Sequence, residues 1–318
     1  MSHSPRRVTI PVFRWFALAS FVSMIVIVLT GAAVRLTGSG LGCPDWPTCY
    51  HHRLAGSWSI HPLIEYANRI VTVTLVFVAV ATFVAAWLRE VRRRDLLVLT
   101  GLLIVGVVAD AILGAFVVYS KLNPWLVSLH MILSLSMVVL GAVLYHRSKY
   151  VYGPGARADV RDPHFRLLAR LLWIPFVVLL VTGTITTGSG PHAGGSQGQL
   201  VARRLPFAFA NAAWVHSIAA MLFVGLVAGL VLAIWGSSAP LALQHGVRRL
   251  VIISLVQAAI GATQYLTHVP VVLVEFHVAG AISLCIGVTQ FHLRQSAHDR
   301  EPGTRRAETN PPIPSAIP

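Results

Sequence analysis

Charge is scarce in this sequence: Asp, Glu, Lys and Arg together make up 11% of the 318 residues, against 55% for the hydrophobic types, and mean hydropathy is +0.71. Soluble domains carry about 25% charge, so a water-solvated globule is excluded and the bilayer becomes the expected solvent. Cysteine numbers three, which allows one disulfide at most. A small-residue cleavage site is missing after the first apolar run, and that run exceeds a signal-peptide core in length, so it reads as a retained helix. Acidic residues are few, 11 against 25 basic ones, giving a net charge of +14 and a pI near 11.0.

What is abundant is apolar sequence in long runs. A hydrocarbon core about 30 Å thick takes roughly 20 residues at about 1.5 Å each. Eight runs of that length are present, at Val12–Val34, Glu65–Leu88, Leu96–Tyr119, Pro124–Tyr145, Leu167–Thr187, Phe209–Trp235, Val247–Leu266 and Pro270–His292. The fold class is therefore an all-α membrane protein of eight transmembrane helices.

The basic excess invites a nucleic-acid reading, but its placement argues for membrane topology instead. Connections alternate between the two faces, and one face holds 19 of the 25 Lys and Arg, among them Arg92, Arg93, Arg94, Arg147, Lys149, Arg248, Arg249 and Arg294. The other holds Arg35, Arg53, Arg69, Lys121, Arg203 and Arg204. By the positive-inside rule both termini face the cytoplasm of a multi-pass plasma-membrane protein, and no nucleic-acid partner is expected. Cys43 and Cys49 then share the first outside loop, where disulfides persist. The alternatives there are two free thiols, or a metal pair with His51 and His52 in reach.

The second half repeats the first. Asp110-Ala-Ile-Leu-Gly114 runs through Pro124 to His130, and Gln257-Ala-Ala-Ile-Gly261 runs through Pro270 to His277 at an offset of 147. Thr37-Gly38-Ser39-Gly40 and Thr187-Gly188-Ser189-Gly190 match at 150. Four helices per repeat bring both halves across in the same sense, as two tandem, pseudo-twofold-related four-helix bundles. The expected domains are a cytoplasmic segment at 1–11, bundles at 12–146 and 167–292 joined by a linker at 147–166, and a disordered cytoplasmic tail at 293–318, rich in Pro and charge.

The duplication aligns four positions: Asn68, His130, His216 and His277, all on even-numbered helices that enter from outside. Each histidine of the Pro-His pair lies about 10 Å into its helix at about 1.5 Å per residue, so the set shares one depth under the outer surface. A single buried histidine is ordinarily structural. Three in register across a repeat point to a haem held edge-on between helices, with His216 and His277 as one axial pair and His130 as a ligand whose partner position is Asn68. Glu65 shares a helix face with Asn68. It is a candidate for proton transfer, or an outer-end carboxylate paired with Arg69. The second half has Asn211, Ala212 and Ala213 in that region, so the chemistry is expected in the first.

The residues so assembled resemble the haem A synthase family. The likeness is carried by Arg35-Leu-Thr-Gly-Ser-Gly-Leu-Gly-Cys-Pro-Asp-Trp-Pro-Thr-Cys49, by Glu65-Tyr66 with Arg69, by Leu113-Gly114 through Pro124 to His130, by His216, and by Gln257 through Gly261 to His277. The resemblance implies a haem b on His216 and His277 and haem O as substrate in the first half, where His130, Asn68 and Arg69 form the binding set. It implies oxidation of one porphyrin methyl to a formyl group by successive hydroxylations with oxygen from water, giving haem A. Glu65 becomes the catalytic acid, and Cys43 with Cys49 a redox-active pair. Haem O synthase and cytochrome c oxidase assembly become the expected partners, alongside membrane lipid, and a homo-oligomer is left open. The family commonly has Glu-x-x-His where this chain has Glu65-Tyr-Ala-Asn68, which leaves His130 as the sole protein ligand there and the opposite position open.

Two other classes fit parts of the pattern. A di-haem electron carrier linked to quinone would show two matched His pairs. A repeat-built transporter would place polar residues at the midplane, whereas the ionisable set here lies toward one face.

Overall fold

The computed structural model describes residues 7–43, 45–49, 59–153, 158–159, 163–197, 200–235 and 239–296, so His51, His52, Arg53 and the distal tail lie outside the described residues. Nine helices are seen among them: α1 (Ile10–Leu36), α2 (Ile60–Trp87), α3 (Arg94–Tyr119), α4 (Pro124–Ser148), α5 (Pro163–Leu171), α6 (Trp173–Ser189), α7 (Phe209–Trp235), α8 (Leu241–Leu266) and α9 (Val271–Leu293). They make eight candidate membrane spans, because α5 and α6 run on as one stretch, Pro163–Ser189. The break at Leu172 has a local cause. Pro175 offers no N–H, and its ring collides with the carbonyl four residues back, that of Leu171.

Several helices outrun their apolar cores. α2 begins at Ile60 and not Glu65, and α8 at Leu241 and not Val247, so Gln244 and His245 join the helix that carries Arg248 and Arg249. Side chains such as these reach the interfacial layer from the ends of a span, so helix and hydrophobic run need not coincide.

The first four helices close a ring: each packs on its sequence neighbour, and α1 packs on α4. In the second half α6, α7, α8 and α9 pack in sequence, and both α6 and α9 lie against α4, which joins the halves together with an α1–α9 contact. A duplicated turn marks the repeat. Lys121 and Leu122 have φ of 55° and 61°, and His268 and Val269, 147 residues on, have 62° and 60°. Left-handed backbone at a non-glycine residue costs about 1–2 kcal/mol, so its recurrence ahead of α4 and α9 marks a shared entry geometry for the helices that carry His130 and His277.

The main core cluster runs from the end of the bundle that holds both termini toward mid-span. Phe13, Phe165, Phe223, Phe291, Leu96, Leu144, Leu230, Leu243 and Leu250 are buried there in one cluster. Lipid removes the hydrophobic drive between helices, so close dispersion contact and interhelical hydrogen bonds hold them, as between Ser20 Oγ and Thr82 Oγ1 at 2.8 Å. At the end of the bundle near both termini Arg93 pairs with Asp95 at 2.7 Å and also donates to the carbonyls of Arg147 and Tyr150. Burial, with Arg93 alongside, lowers the pKa of neighbouring Arg89, whose guanidinium lies over the Phe13 ring. The opposite half is more open, and the candidate site residues lie in it.

Candidate functional site

Asn68, His130, His216 and His277 sit six to eight residues inside α2, α4, α7 and α9, or roughly 9–12 Å at about 1.5 Å per residue. Their local surroundings repeat as well. Thr182 Oγ1 lies 3.1 Å from His216 Nδ1, and Thr30 Oγ1 donates to Asn68 Oδ1 at 2.7 Å. Asp110 Oδ1 lies 2.8 Å from His130 Nδ1, while its counterpart Gln257 donates from Nε2 to the His277 carbonyl at 3.0 Å. The Asp110–His130 contact is close but lacks hydrogen-bond alignment, so it is an electrostatic approach and not a formed bond. The other carboxylate oxygen of Asp110 accepts from Ser134 Oγ at 2.5 Å.

Each histidine looks at a glycine on the preceding helix. A Cβ built on Gly183 would come within 3.1 Å of the His216 ring, one on Gly261 within 3.3 Å of His277, and one on Gly114 within 3.4 Å of His130. Gly31, the equivalent beside Asn68, has nothing within 4 Å. Any larger residue at these places would press on the imidazole, so these glycines leave room for the histidine ring and for whatever it grips.

In the second half the His216 and His277 ring centres are 6.2 Å apart, with planes crossing at 79°. Two metal–imidazole bonds of about 2 Å each would leave about 2 Å, which the two ring radii take up. The pair therefore fits one iron between facing imidazoles, as a bis-histidine haem requires.

The first half holds a cavity of about 290 Å³ lined by Glu65, Asn68, Asp110, Gly31, Gly114 and His130. The His130 side chain is 37% accessible and lines this cavity. Trp46 and Pro47 line the same cavity from the loop between α1 and α2, and that loop is pinned by side chains from the helices. Arg69 donates to the carbonyls of Asp45 and Thr48, each at 2.6 Å, and to that of Cys43 at 3.2 Å. It also pairs with Glu65 Oε1 at 2.6 Å, and Glu65 Oε2 accepts from the Cys43 backbone N–H at 2.8 Å. Tyr119 Oη donates to the Trp46 carbonyl at 2.9 Å. Cys43 and Cys49 are joined as a disulfide, both fully buried. Arg69 thus braces the loop and Glu65, with Nη1 and Nη2 both engaged.

Arg35, in the last turn of α1, lines the cavity and fastens the two halves. Its Nε donates to the His192 carbonyl and its Nη2 to the Thr187 carbonyl, both at 2.9 Å. Sequence reasoning missed Thr30, Thr182 and the glycines. The signal was available, since Thr30-Gly31 and Thr182-Gly183 repeat seven and five residues before the matched Thr-Gly-Ser-Gly motifs.

The chain matches the cytochrome oxidase assembly protein family over residues 14–59 and 53–288. It is similar to a Heme A synthase of Lysinibacillus sphaericus, 32% identical over 132 residues, which cover 41% of this chain and 42% of that one. It is also similar to Heme A synthases of Bacillus cereus and Bacillus anthracis, each 24% identical over 230 residues, or 70% of this chain and 73% of theirs.

Proposed function

This chain belongs to the cytochrome oxidase assembly protein family, and from that premise we propose that it is a haem A synthase, oxidising a methyl group of haem O to a formyl group. The observation that carries the reading is the first-half cavity, which places a candidate ligand, His130, and a candidate acid, Glu65, beneath a braced outer loop. The other half has a matched histidine pair and, at the position matching Glu65, no acid; its own acid, Glu275, lies on α9 two residues before His277. That inequality favours one resident cofactor and one substrate over the electron carrier with two equivalent haems.

In this reading His216 and His277 hold haem b, which when bound supplies one-electron transfer. Thr182 orients the His216 ring. His130 binds haem O, and the cavity walls fix which methyl approaches the reacting region. With water as the oxygen source, each hydroxylation releases two electrons, which an external electron acceptor must take up, and two protons, so a proton acceptor at the cavity rim is required. Glu65, lining the cavity with its carboxylate held between Arg69 and the Cys43 N–H, takes that role. Loss of water from the twice-hydroxylated carbon leaves the aldehyde. The chain sits in the plasma membrane with both termini cytoplasmic, receives its substrate from haem O synthase and supplies cytochrome c oxidase assembly.

Expression in a host that makes haem O but no haem A, followed by chromatography of extracted haems, tests the proposal. Haem A or its hydroxylated precursor is the expected product. Purified protein that carries only haem b and yields neither would refute it.

A further inference from the structure

The four matched positions differ in ways the ligand pattern alone does not explain. In the second half an imidazole occupies both places, and the group on the helix before His277 is a neutral amide, Gln257, which spends its donor on a backbone carbonyl. In the first half that same place holds a carboxylate, with Asp110 Oδ1 2.8 Å from Nδ1 of His130 and its other oxygen bound to Ser134. A carboxylate at this distance from the far nitrogen of a ligating imidazole, once turned to accept its N–H, fixes the ring and strengthens its donation to the metal. The Asn68 position differs in the complementary sense. Its Oδ1 is turned to Thr30, which leaves the Nδ2 donor as the branch available to the cavity that Asn68 lines. An amide N–H is a poor iron ligand but a good hydrogen-bond donor to an oxygen atom bound to iron. Gly31, with nothing within 4 Å of its Cβ position, leaves space beside it.

We propose that the first-half site is built with two unlike faces. On one, Asp110 positions His130 and strengthens it as the single protein ligand. On the other, Asn68 hydrogen-bonds a solvent-derived oxygen ligand, water or hydroxide, at the open position. The proposal rests on the reading that a haem binds beside His130, and it makes Asp110 and Asn68 positioning residues for the iron's two sides. The second half, with its paired imidazoles, has no equivalent opening.

The test uses the chain purified in detergent from a host that supplies haem O, with carbon monoxide as probe of the reduced protein and azide as probe of the ferric form. Expected are a low-spin signal from the His216–His277 site and a separate high-spin signal that binds both probes. Asn68→His should convert the second signal to low spin and abolish carbon monoxide binding. Asn68→Ala, which only shortens the side chain, should keep carbon monoxide binding and change azide affinity by at least about tenfold. Asp110→Asn, nearly isosteric, should retain haem content and raise the reduction potential of the probe-binding haem alone. Wild-type protein whose haems are all low spin and inert to both probes overturns the open face, and an unmoved potential in Asp110→Asn overturns the role of that carboxylate. If His130→Ala binds as much haem as the wild type, the underlying reading of the site fails instead.

Discussion

Thr182 Oγ1 stands 3.1 Å from Nδ1 of His216, and that contact fixes which ring nitrogen is free. With Nδ1 engaged, Nε2 is the nitrogen left for a metal, and the His277 ring lies 6.2 Å away between centres. Partners of this kind around metal-ligating histidines typically contribute about 10–100-fold to affinity. Thr182→Val should therefore leave the helix intact and speed haem b loss by at least about tenfold, measured as transfer to an apo-globin acceptor. His216→Ala and His277→Ala should each abolish the b-type absorption band. A spectrum indifferent to both would remove the basis for the second-half site.

The glycine contacts give a paired prediction. Alanine at Gly183 would bring a methyl within 3.1 Å of His216, tighter than ordinary contact, so Gly183→Ala should displace the ring and reduce haem b content. Gly31 is its counterpart beside Asn68 and meets nothing within 4 Å. Gly31→Ala should leave the b-type spectrum as in the wild type while narrowing the first-half cavity that Gly31 lines. Equal effects of the two on haem b would show that the spacing between helices, and not the individual contact, controls occupancy.

The eight spans were legible because membrane solvation writes its requirement in composition, and the ligand positions were legible because a duplication repeats them. Neither signal reports side-chain partners. Asp110 was visible only as part of a repeated segment, and its nearness to His130 depends on how α3 and α4 are rotated about their axes, which apolar sequence on every face does not fix. Arg69 read as a haem-binding residue and as the partner of Glu65; it lines the cavity and pairs with Glu65, while its bonds to the loop carbonyls carry no trace in the sequence. The split between α5 and α6 was written at Pro175 but was masked by the hydropathy of the run around it.

Arg69 makes a sharper case for separating support from chemistry. It satisfies the Glu65 carboxylate and several loop carbonyls at once, and its side chain is only 14% accessible. Removing one member of such a buried pair costs about 3–5 kcal/mol, so Arg69→Ala should lower the thermal unfolding temperature in detergent and expose the loop to protease. Glu65→Gln keeps the shape and an acceptor for the Cys43 N–H. It should retain haem content and most of the stability while losing haem A formation. If Glu65→Gln makes haem A at the wild-type rate, the proton role is wrong, and Glu65 serves only to brace the loop.

The Cys43–Cys49 bridge closes a short loop whose Trp46 and Pro47 line the cavity, and both sulfurs are shielded from solvent. A loop of that length contributes about 2 kcal/mol through the chain-entropy term, and Arg69, Glu65 and Tyr119 hold the same segment independently. The bridge should therefore resist millimolar dithiothreitol in the folded protein and open only on denaturation, as read by alkylation and mass spectrometry. Replacing both cysteines with serine should leave the haem b spectrum unchanged, because His216 and His277 belong to the other half, and should lower turnover of haem O only as far as the loop loosens. If alkylation instead rises with each cycle of turnover in folded protein, the disulfide is a redox participant, and the loop must open during catalysis to expose it.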